Sequence, residues 1–343
     1  MEDLGLTTQA MVDFKRVLYV EGIAACVDNG SWDKLDAGQS LDGYSHAILY
    51  RLGAGESIIA MLWSSTDGKG RDKYPMVGCV CVSGWNLESA AEVCLRALAG
   101  LRARCETART ADEVRAAVQR AQSECAMAAP AKEQAELSLD GSVATRLAAR
   151  SEFGSGPGGP GVGFSRLLYQ MDVELASYIR GIPKASLSMS ALGGLGSGAG
   201  GGGGGGLSNS RTRTGVLGPR HLRVPACSDP ASAGDRGAAA GVMSMWLKFM
   251  YLKIDPGCPA MIIAPLGRGW VDVLVGQPVG AQMFCIRAGT QSIPIVTEVP
   301  YSLDEGMAAR VSAFLGDCAM RPSEQLGPRS SRQTTDSISR SAH

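Results

Sequence analysis

The sequence has only three histidines in 343 residues, and neither a C-x-x-C nor an H-E-x-x-H spacing occurs in it. Imidazole nitrogens and closely spaced thiolates are the usual donors of a zinc site, so no metal site is expected. A nucleophile elbow of the form G-x-S-x-G is also missing, which removes the α/β-hydrolase type of serine chemistry. The one Gly-Lys pair, Gly68-Lys69, has no glycine five residues earlier and is followed by Gly70, so it is not a phosphate-binding loop. Charge of one sign is lacking as well: 33 basic residues balance 33 acidic ones. No global field gathers nucleic acid, anionic lipid or an acidic substrate. Long apolar runs are absent, because the densest, near Ala260–Leu266, falls far short of the roughly 20 residues that span a bilayer. The opening Met1-Glu2-Asp3 lacks a basic start and an apolar leader, so neither secretion nor membrane insertion is expected. A cytoplasmic protein without a cofactor is the resulting expectation.

Aromatics make up only 6% of the chain, whereas glycine is abundant at 45 residues and concentrated in a few places. Gly154–Gly163 is rich in glycine and proline, and Gly193–Gly206 is nearly uninterrupted glycine. The unfolded entropy of such tracts exceeds what a core could offset, so they predict disordered linkers. A G-x-G-x-x-G match falls inside the second tract, but no strand leads into it and no helix follows, so it builds no dinucleotide site. The ten cysteines, at positions 26, 79, 81, 94, 105, 125, 227, 258, 285 and 318, have no framework spacing and predict buried thiols in a reducing compartment. Cys79-Val80-Cys81 lies in an expected strand and is taken to present its thiols to opposite faces, which would bar a shared metal.

The chain is long enough for two domains of about 100–150 residues each, and the pattern divides accordingly. The expected layout is an N-terminal α/β lobe over 1–129, a flexible linker over 130–219, a C-terminal α/β lobe over 220–319 and a disordered tail over 320–343. The fold class is α/β in the α+β sense, with two small lobes of mainly antiparallel sheet flanked by helices.

In the first lobe, Met11, Phe14, Val17 and Leu18 form an apolar stripe that predicts a helix ending near Gly22. Ser45–Leu52 and Ser57–Trp63 are apolar runs separated by Gly53-Ala54-Gly55, the signature of a hairpin. Tyr74–Val82 predicts a third strand. Asn86 caps a helix that places Cys94, Leu98, Leu101 and Cys105 on one face. Thr110-Ala111-Asp112-Glu113 is a capping box opening another helix, with Val114, Val118, Ala121 and Cys125 as its stripe.

Within the linker, Phe164, Leu167, Leu168, Met171, Leu175 and Ile179 recur at helical spacing, predicting an amphipathic helix over 164–182 that docks on a lobe or a partner. The second lobe should hold a strand at His221–Pro225, a helix over Gly241–Ile254 and strands at Ala260–Leu266, Trp270–Gly276 and Gln282–Ile286. A helix from Ser302 to Leu315 closes it. Leu266-Gly267-Arg268-Gly269 echoes the first hairpin turn. The tail's Arg321, Arg329, Arg332 and Arg340 lack interleaved aromatic platforms, so no nucleic-acid partner is assigned.

The most informative segment is the polar stretch between the second and third strands, with Asp67, Lys69, Arg71, Lys73 and Tyr74 as candidate binding residues. Gly68 and Gly70 expose backbone N–H groups, and the three cations add donors, so the loop can grip a phosphate or carboxylate. Alternatively, Asp67 and Arg71 brace a long turn and the lysines are solvated. His46, the histidine in an expected strand, finds no acid and nucleophile to serve as a general base and is taken as structural.

The order Asp67, then Gly70-Arg71, then Tyr74-Pro75 entering a strand resembles the TagF family of type VI secretion accessory proteins, over roughly residues 10–100. Trp32 and Trp63 suit the tryptophan-containing first lobe of that family. The resemblance implies a longin-like first lobe and a non-enzymatic cytoplasmic regulator that restrains assembly of a type VI secretion apparatus by binding its phosphorylation-dependent signalling components.

Two classes of function therefore stand side by side. One is a regulatory or scaffolding protein whose partners are proteins, its linker setting the reach of the lobes. The other is an enzyme or binding protein in which Asp67, Lys69 and Arg71, with His46, act on a phosphorylated or acidic small molecule.

Overall fold

The computed structural model describes residues 3–36, 38–53, 55–66, 73–85, 87–128, 175, 219–225, 246–247, 249–250 and 253–296. The expected linkers, the 302–315 helix and the tail lie outside the described residues, as does the 164–182 helix except for Leu175.

A six-stranded sheet in the order β3-β2-β1-β5-β6-β4 forms the middle layer. Its strands are β1 (Ser45–Arg51), β2 (Glu56–Trp63), β3 (Met76–Ser83), β4 (Arg220–Pro225), β5 (Ala260–Pro265) and β6 (Trp270–Val275). Every pairing is antiparallel. The mixed α/β class with antiparallel sheet and flanking helices is thus as the sequence predicts. The strands assigned to two lobes nevertheless belong to one sheet. β1 pairs with β5 along its length, with Ile48 opposite Ile263 and Arg51 opposite Ala260. Arg51 reinforces this seam by donating to the carbonyls of Met250, Asp255 and Cys258 at 2.9–3.1 Å.

Both hairpin turns that the sequence marks are present. Gly55 and Gly267 hold φ of 106° and 74°, values that a residue with a Cβ rarely adopts.

Side chains alternate along each strand between two buried faces. On one face Leu49, Met61, Trp63, Ile262 and Val273 pack against α3 (Leu87–Thr107) and α4 (Ala111–Ala128), together with Trp246, Phe249 and Met250. Leu175 is fully buried in this core. The capping box forms as expected: Glu113 N–H donates to Thr110 Oγ1 at 3.2 Å, and Thr110 N–H to a Glu113 carboxylate oxygen at 3.3 Å.

On the other face Ile48, Ile58, Leu62 and Ile263 meet the N-terminal helical layer and the 283–286 segment. Cys79 and Cys81 both pack on this second core. Residues two apart in a strand share a face, so the opposite-face expectation for this pair is corrected.

The N-terminal layer runs as α1 (Gln9–Lys15), a π-helical stretch (Arg16–Ala24) and α2 (Ala25–Asp28). The helix passes through Gly22 instead of stopping there. Phe14, Leu18 and Ile23 all face the sheet, at 2%, 1% and 0% exposure. The step from 18 to 23 stays on one face because the wider i→i+5 turn absorbs an extra residue. Gly22 serves packing: a Cβ there would lie 2.5 Å from Met283 Cγ.

One further element differs from expectation. Gly280–Ile286 is a 3₁₀ helix, not a strand. The Gln282 side chain accepts from Val279 N–H at 3.1 Å, and Met283 and Ile286, three apart, are both buried. A spacing of three is that of a 3₁₀ turn and not of a strand.

Candidate functional site

The candidate loop joins β2 to β3 at one end of the sheet. Asp67, Lys69 and Arg71 lie outside the described residues, whereas Lys73 and Tyr74 are described and exposed. The returning end of the loop is held by three tyrosine hydroxyls. Tyr44 Oη donates to the Lys73 carbonyl at 2.9 Å, Tyr19 Oη to the Pro75 carbonyl at 3.4 Å, and Tyr74 Oη to Asp28 Oδ1 at 2.8 Å. The Tyr74 ring stacks on Tyr19, with centroids 6.4 Å apart. The departing end is tied to the same place: Ser64 N–H donates to the Tyr44 carbonyl and Tyr44 N–H to Ser64 Oγ.

Burial, with Tyr74 and Tyr44 as neighbours, pushes the Tyr19 phenol up to about 12, which keeps it a hydrogen-bond donor at neutral pH. The hydrogen bond to Asp28 likewise raises the Tyr74 phenol. Behind these rings, Trp32 meets Tyr44 edge to face, and its Nε1 donates to the Phe284 carbonyl at 3.1 Å. The Arg287 guanidinium lies 5.2 Å from the Tyr44 ring centre and 6.0 Å from that of Trp32. A tyrosine, tryptophan and arginine cluster therefore underlies the point where the loop rejoins the sheet.

A second polar constellation was not singled out from the sequence. It lies on the same sheet face, at the β4–β6 edge. Arg223 Nε and Nη2 donate to the two carboxylate oxygens of Asp272, each at 2.8 Å. Arg223 Nη1 donates to the carbonyls of Ala288 and Gly289 at 2.9 and 3.0 Å, and Nη2 also reaches the Cys285 carbonyl at 3.2 Å. Its guanidinium sits 5.2 Å from the centre of the Trp270 ring. His221 Nε2 bonds to Asp272 Oδ1 at 2.8 Å. Burial alone would push the Asp272 carboxyl up, but the hydrogen bonds from His221 and Arg223, with their charge, hold it below the usual carboxylate range.

The sequence did carry a signal for this network. Asp272 is the one charged residue in Trp-Val-Asp-Val-Leu-Val, and a carboxylate buried among such neighbours requires a partner. His221 and Arg223 alternate with Leu222 and Val224 on the strand that pairs with it.

One donor atom from each of His221, Asp272 and Cys285 lies within 4.8 Å of the others. The fit to a cation is nonetheless poor. Both oxygens of Asp272 are taken, and the guanidinium on them opposes a second positive charge. Burial, followed by the charge of Asp272, raises the Cys285 thiol well above its ordinary value and keeps it protonated. The cluster is built to hold the 285–293 segment against the sheet.

His46 shares this face and is fully buried. Its Nδ1 accepts from Ser45 N–H at 3.2 Å. The Ile286 backbone faces the ring, but Nε2 has no hydrogen bond of normal geometry. Burial lowers its pKa to about 4, so the imidazole is neutral at pH 7.

No family model, curated protein or solved structure matches the chain. Among the described residues no helix is long and apolar enough to cross a membrane.

Proposed function

We propose that the protein is a non-enzymatic cytoplasmic regulator or scaffold that binds other proteins at the β2–β3 loop. Tyr74 carries this reading. The side chain is 40% exposed, yet its hydroxyl is held by Asp28 and its ring by Tyr19. A large aromatic already fixed in place loses little entropy on binding, and tyrosine and arginine beside a preformed patch are the residues on which protein interfaces concentrate their affinity. The order Asp67, Gly70-Arg71, Tyr74-Pro75 supports a TagF-like role, in which the partners are the phosphorylation-dependent signalling components that control assembly of a type VI secretion apparatus.

The test is calorimetric titration of the protein with those purified components, comparing wild type with Tyr74→Ala and with the double variant Asp67→Ala, Arg71→Ala, each checked for unchanged circular dichroism. A loss of at least about tenfold in affinity for both variants, equivalent to about 1.4 kcal/mol, is the expected outcome. Equal binding by all three makes the loop a structural turn. Absence of any protein binding, with saturable heat on titration of inorganic phosphate or a dicarboxylate, replaces the regulator by the small-molecule alternative. Against that alternative, Asp28 already sets a carboxylate beside the loop at Tyr74, which opposes an anionic ligand there.

A further inference from the structure

β3 is an outer strand of the sheet. Its pairing with β2 runs unbroken from Met76 opposite Trp63 to Ser83 opposite Glu56. Just beyond, Gly84 N–H donates to the Gly55 carbonyl at 3.3 Å, which makes that pair a hydrogen-bonded one. Hydrogen-bonded and open pairs alternate along an antiparallel ladder, so Met76, Gly78, Val80 and Val82 bond to β2. Val77, Cys79, Cys81 and Ser83 therefore turn their amides and carbonyls away from it. Among the described residues no hydrogen bond reaches these outward backbone groups.

The two outer strands differ. β4, on the far side, carries Arg220, His221, Arg223 and Pro225, and its Arg223 carbonyl accepts from Val296 N–H at 2.9 Å. Charge, proline and a covering segment are the usual protection of an edge strand. β3 reads Met-Val-Gly-Cys-Val-Cys-Val-Ser, without a charge, a proline or a bulge, and only Gly78 and Val82 in it are buried. A strand edge of that length and composition is a template for another strand.

We propose that β3 pairs antiparallel with β3 of a second copy, so that the protein is a two-fold dimer with one sheet running through both chains. The sequence of β3 selects this occupant and its register. With the axis at Val80, Val77 lies opposite Ser83 of the second copy and Cys79 opposite Cys81 of the second copy, so every outward residue on both chains is matched. Each of these pairs exchanges two hydrogen bonds. Moving the axis to Cys79 sets Ser83 against Pro75, which has no amide to give. Moving it to Cys81 sets Val77 against Trp85, beyond the strand. Because β3 holds no charged residue, pairing with itself brings no like charges together. The two Val80 side chains meet at the axis in an open pair, where cross-strand side chains come closest.

Sedimentation velocity of the full chain over about a hundredfold range of concentration should show a species of twice the 35.7 kDa chain mass, growing with concentration. Cys79→Pro removes an outward amide and no bond to β2, a place where an edge strand accepts proline. It should sediment as a single chain with unchanged circular dichroism, whereas Cys79→Ser, which keeps the amide, should remain a dimer. Register is read by crosslinking. A hydrogen-bonded pair sets its Cα atoms about 5.5 Å apart, inside the range of about 4.4–6.8 Å that a disulfide spans. Under copper phenanthroline, Cys79→Ala and Cys81→Ala chains should each form no β3–β3 crosslink alone. Their mixture should form one between Cys79 and Cys81, mapped by peptide mass spectrometry. That readout needs no proline variant, so it stands even where Cys79→Pro folds poorly. A wild type that stays at single-chain mass throughout overturns the proposal and leaves the edge to an extended segment of another protein. A dimer that survives Cys79→Pro, or a β3–β3 crosslink in either alanine variant alone, overturns it as well.

Discussion

Arg223 and Asp272 face each other across β4 and β6 in a two-point contact, 2.8 Å at each oxygen, and neither is exposed by more than 1%. The same guanidinium carries the carbonyls of the 285–289 turn, so one side chain joins the sheet to the segment that covers it.

Replacing Arg223 by Met leaves the Asp272 carboxylate buried without its main partner and several carbonyls unpaired. Breaking a buried pair from one side costs about 3–5 kcal/mol. Urea denaturation of Arg223→Met should show a loss of that size. The double variant Arg223→Met, Asp272→Leu should recover part of it, because no charge is then stranded.

Acid should destabilise the protein in two stages. His46 has its pKa lowered from 6.5 to about 4 in the folded state, so between those values the unfolded chain takes up a proton that the folded one refuses. Stability therefore falls with pH across that window, and at about 1.4 kcal/mol per unit the total is roughly 3 kcal/mol. His46→Leu should flatten the dependence between pH 6.5 and 4. Asp272, whose folded pKa is depressed, adds stability that is complete at higher pH and is lost as pH falls through its folded value. Denaturant midpoints measured across a pH series resolve both stages.

The contact between the N-terminal helical layer and the 280–286 turn depends on two glycines of unequal tolerance. A Cβ on Gly280 would lie 2.3 Å from the Glu21 carbonyl oxygen, whereas on Gly22 it would meet the Met283 side chain first. Gly280→Ala should cost about 1–3 kcal/mol, the usual range for overpacking, and no single side-chain trimming should relieve it. Gly22→Ala should be partly rescued by Met283→Ala. Thermal unfolding of the four variants separates the two cases.

Thr110 caps α4 through its hydroxyl. Thr110→Ala should lower stability by about 1 kcal/mol while leaving the far-ultraviolet circular dichroism of the native state unchanged.

Local chemistry was legible in the sequence wherever it has a local cause. Two apolar runs split by Gly53-Ala54-Gly55 marked β1 and β2, the Thr110–Glu113 box marked the start of α4, and the glycines after Leu52 and Leu266 marked the hairpins. The helix stop at Gly22 was misjudged because a glycine demanded by Met283 looks the same as one that ends a helix. The 282–286 run reads as a strand because so short an apolar stretch barely displays a period, whereas Met283 and Ile286, both buried and three apart, follow the 3₁₀ spacing. The β1–β5 seam has no signature in either strand, since edge pairing is written in backbone groups common to all residues. Of the candidate loop, the Tyr74-Pro75 end was legible, whereas its support by Tyr19, Tyr44 and Asp28 arises from residues scattered along the chain. The Arg223–Asp272 pair is not legible from either strand alone, because only the pairing of β4 with β6 brings the two residues opposite each other.

The seam between β1 and β5 also sets an order of events during synthesis. When the ribosome has delivered β1 to β3 and both long helices, every second residue of β1, Ala47 and Leu49 among them, still presents an unmatched amide and carbonyl on the side away from β2, and the covering strand is not yet made. That strand arrives only with Ala260–Pro265. Until then the nascent protein carries an open, apolar strand edge of the kind that recruits other chains. Translation pauses or stop codons before residue 260 should accordingly produce insoluble fragments, not a small folded N-terminal domain.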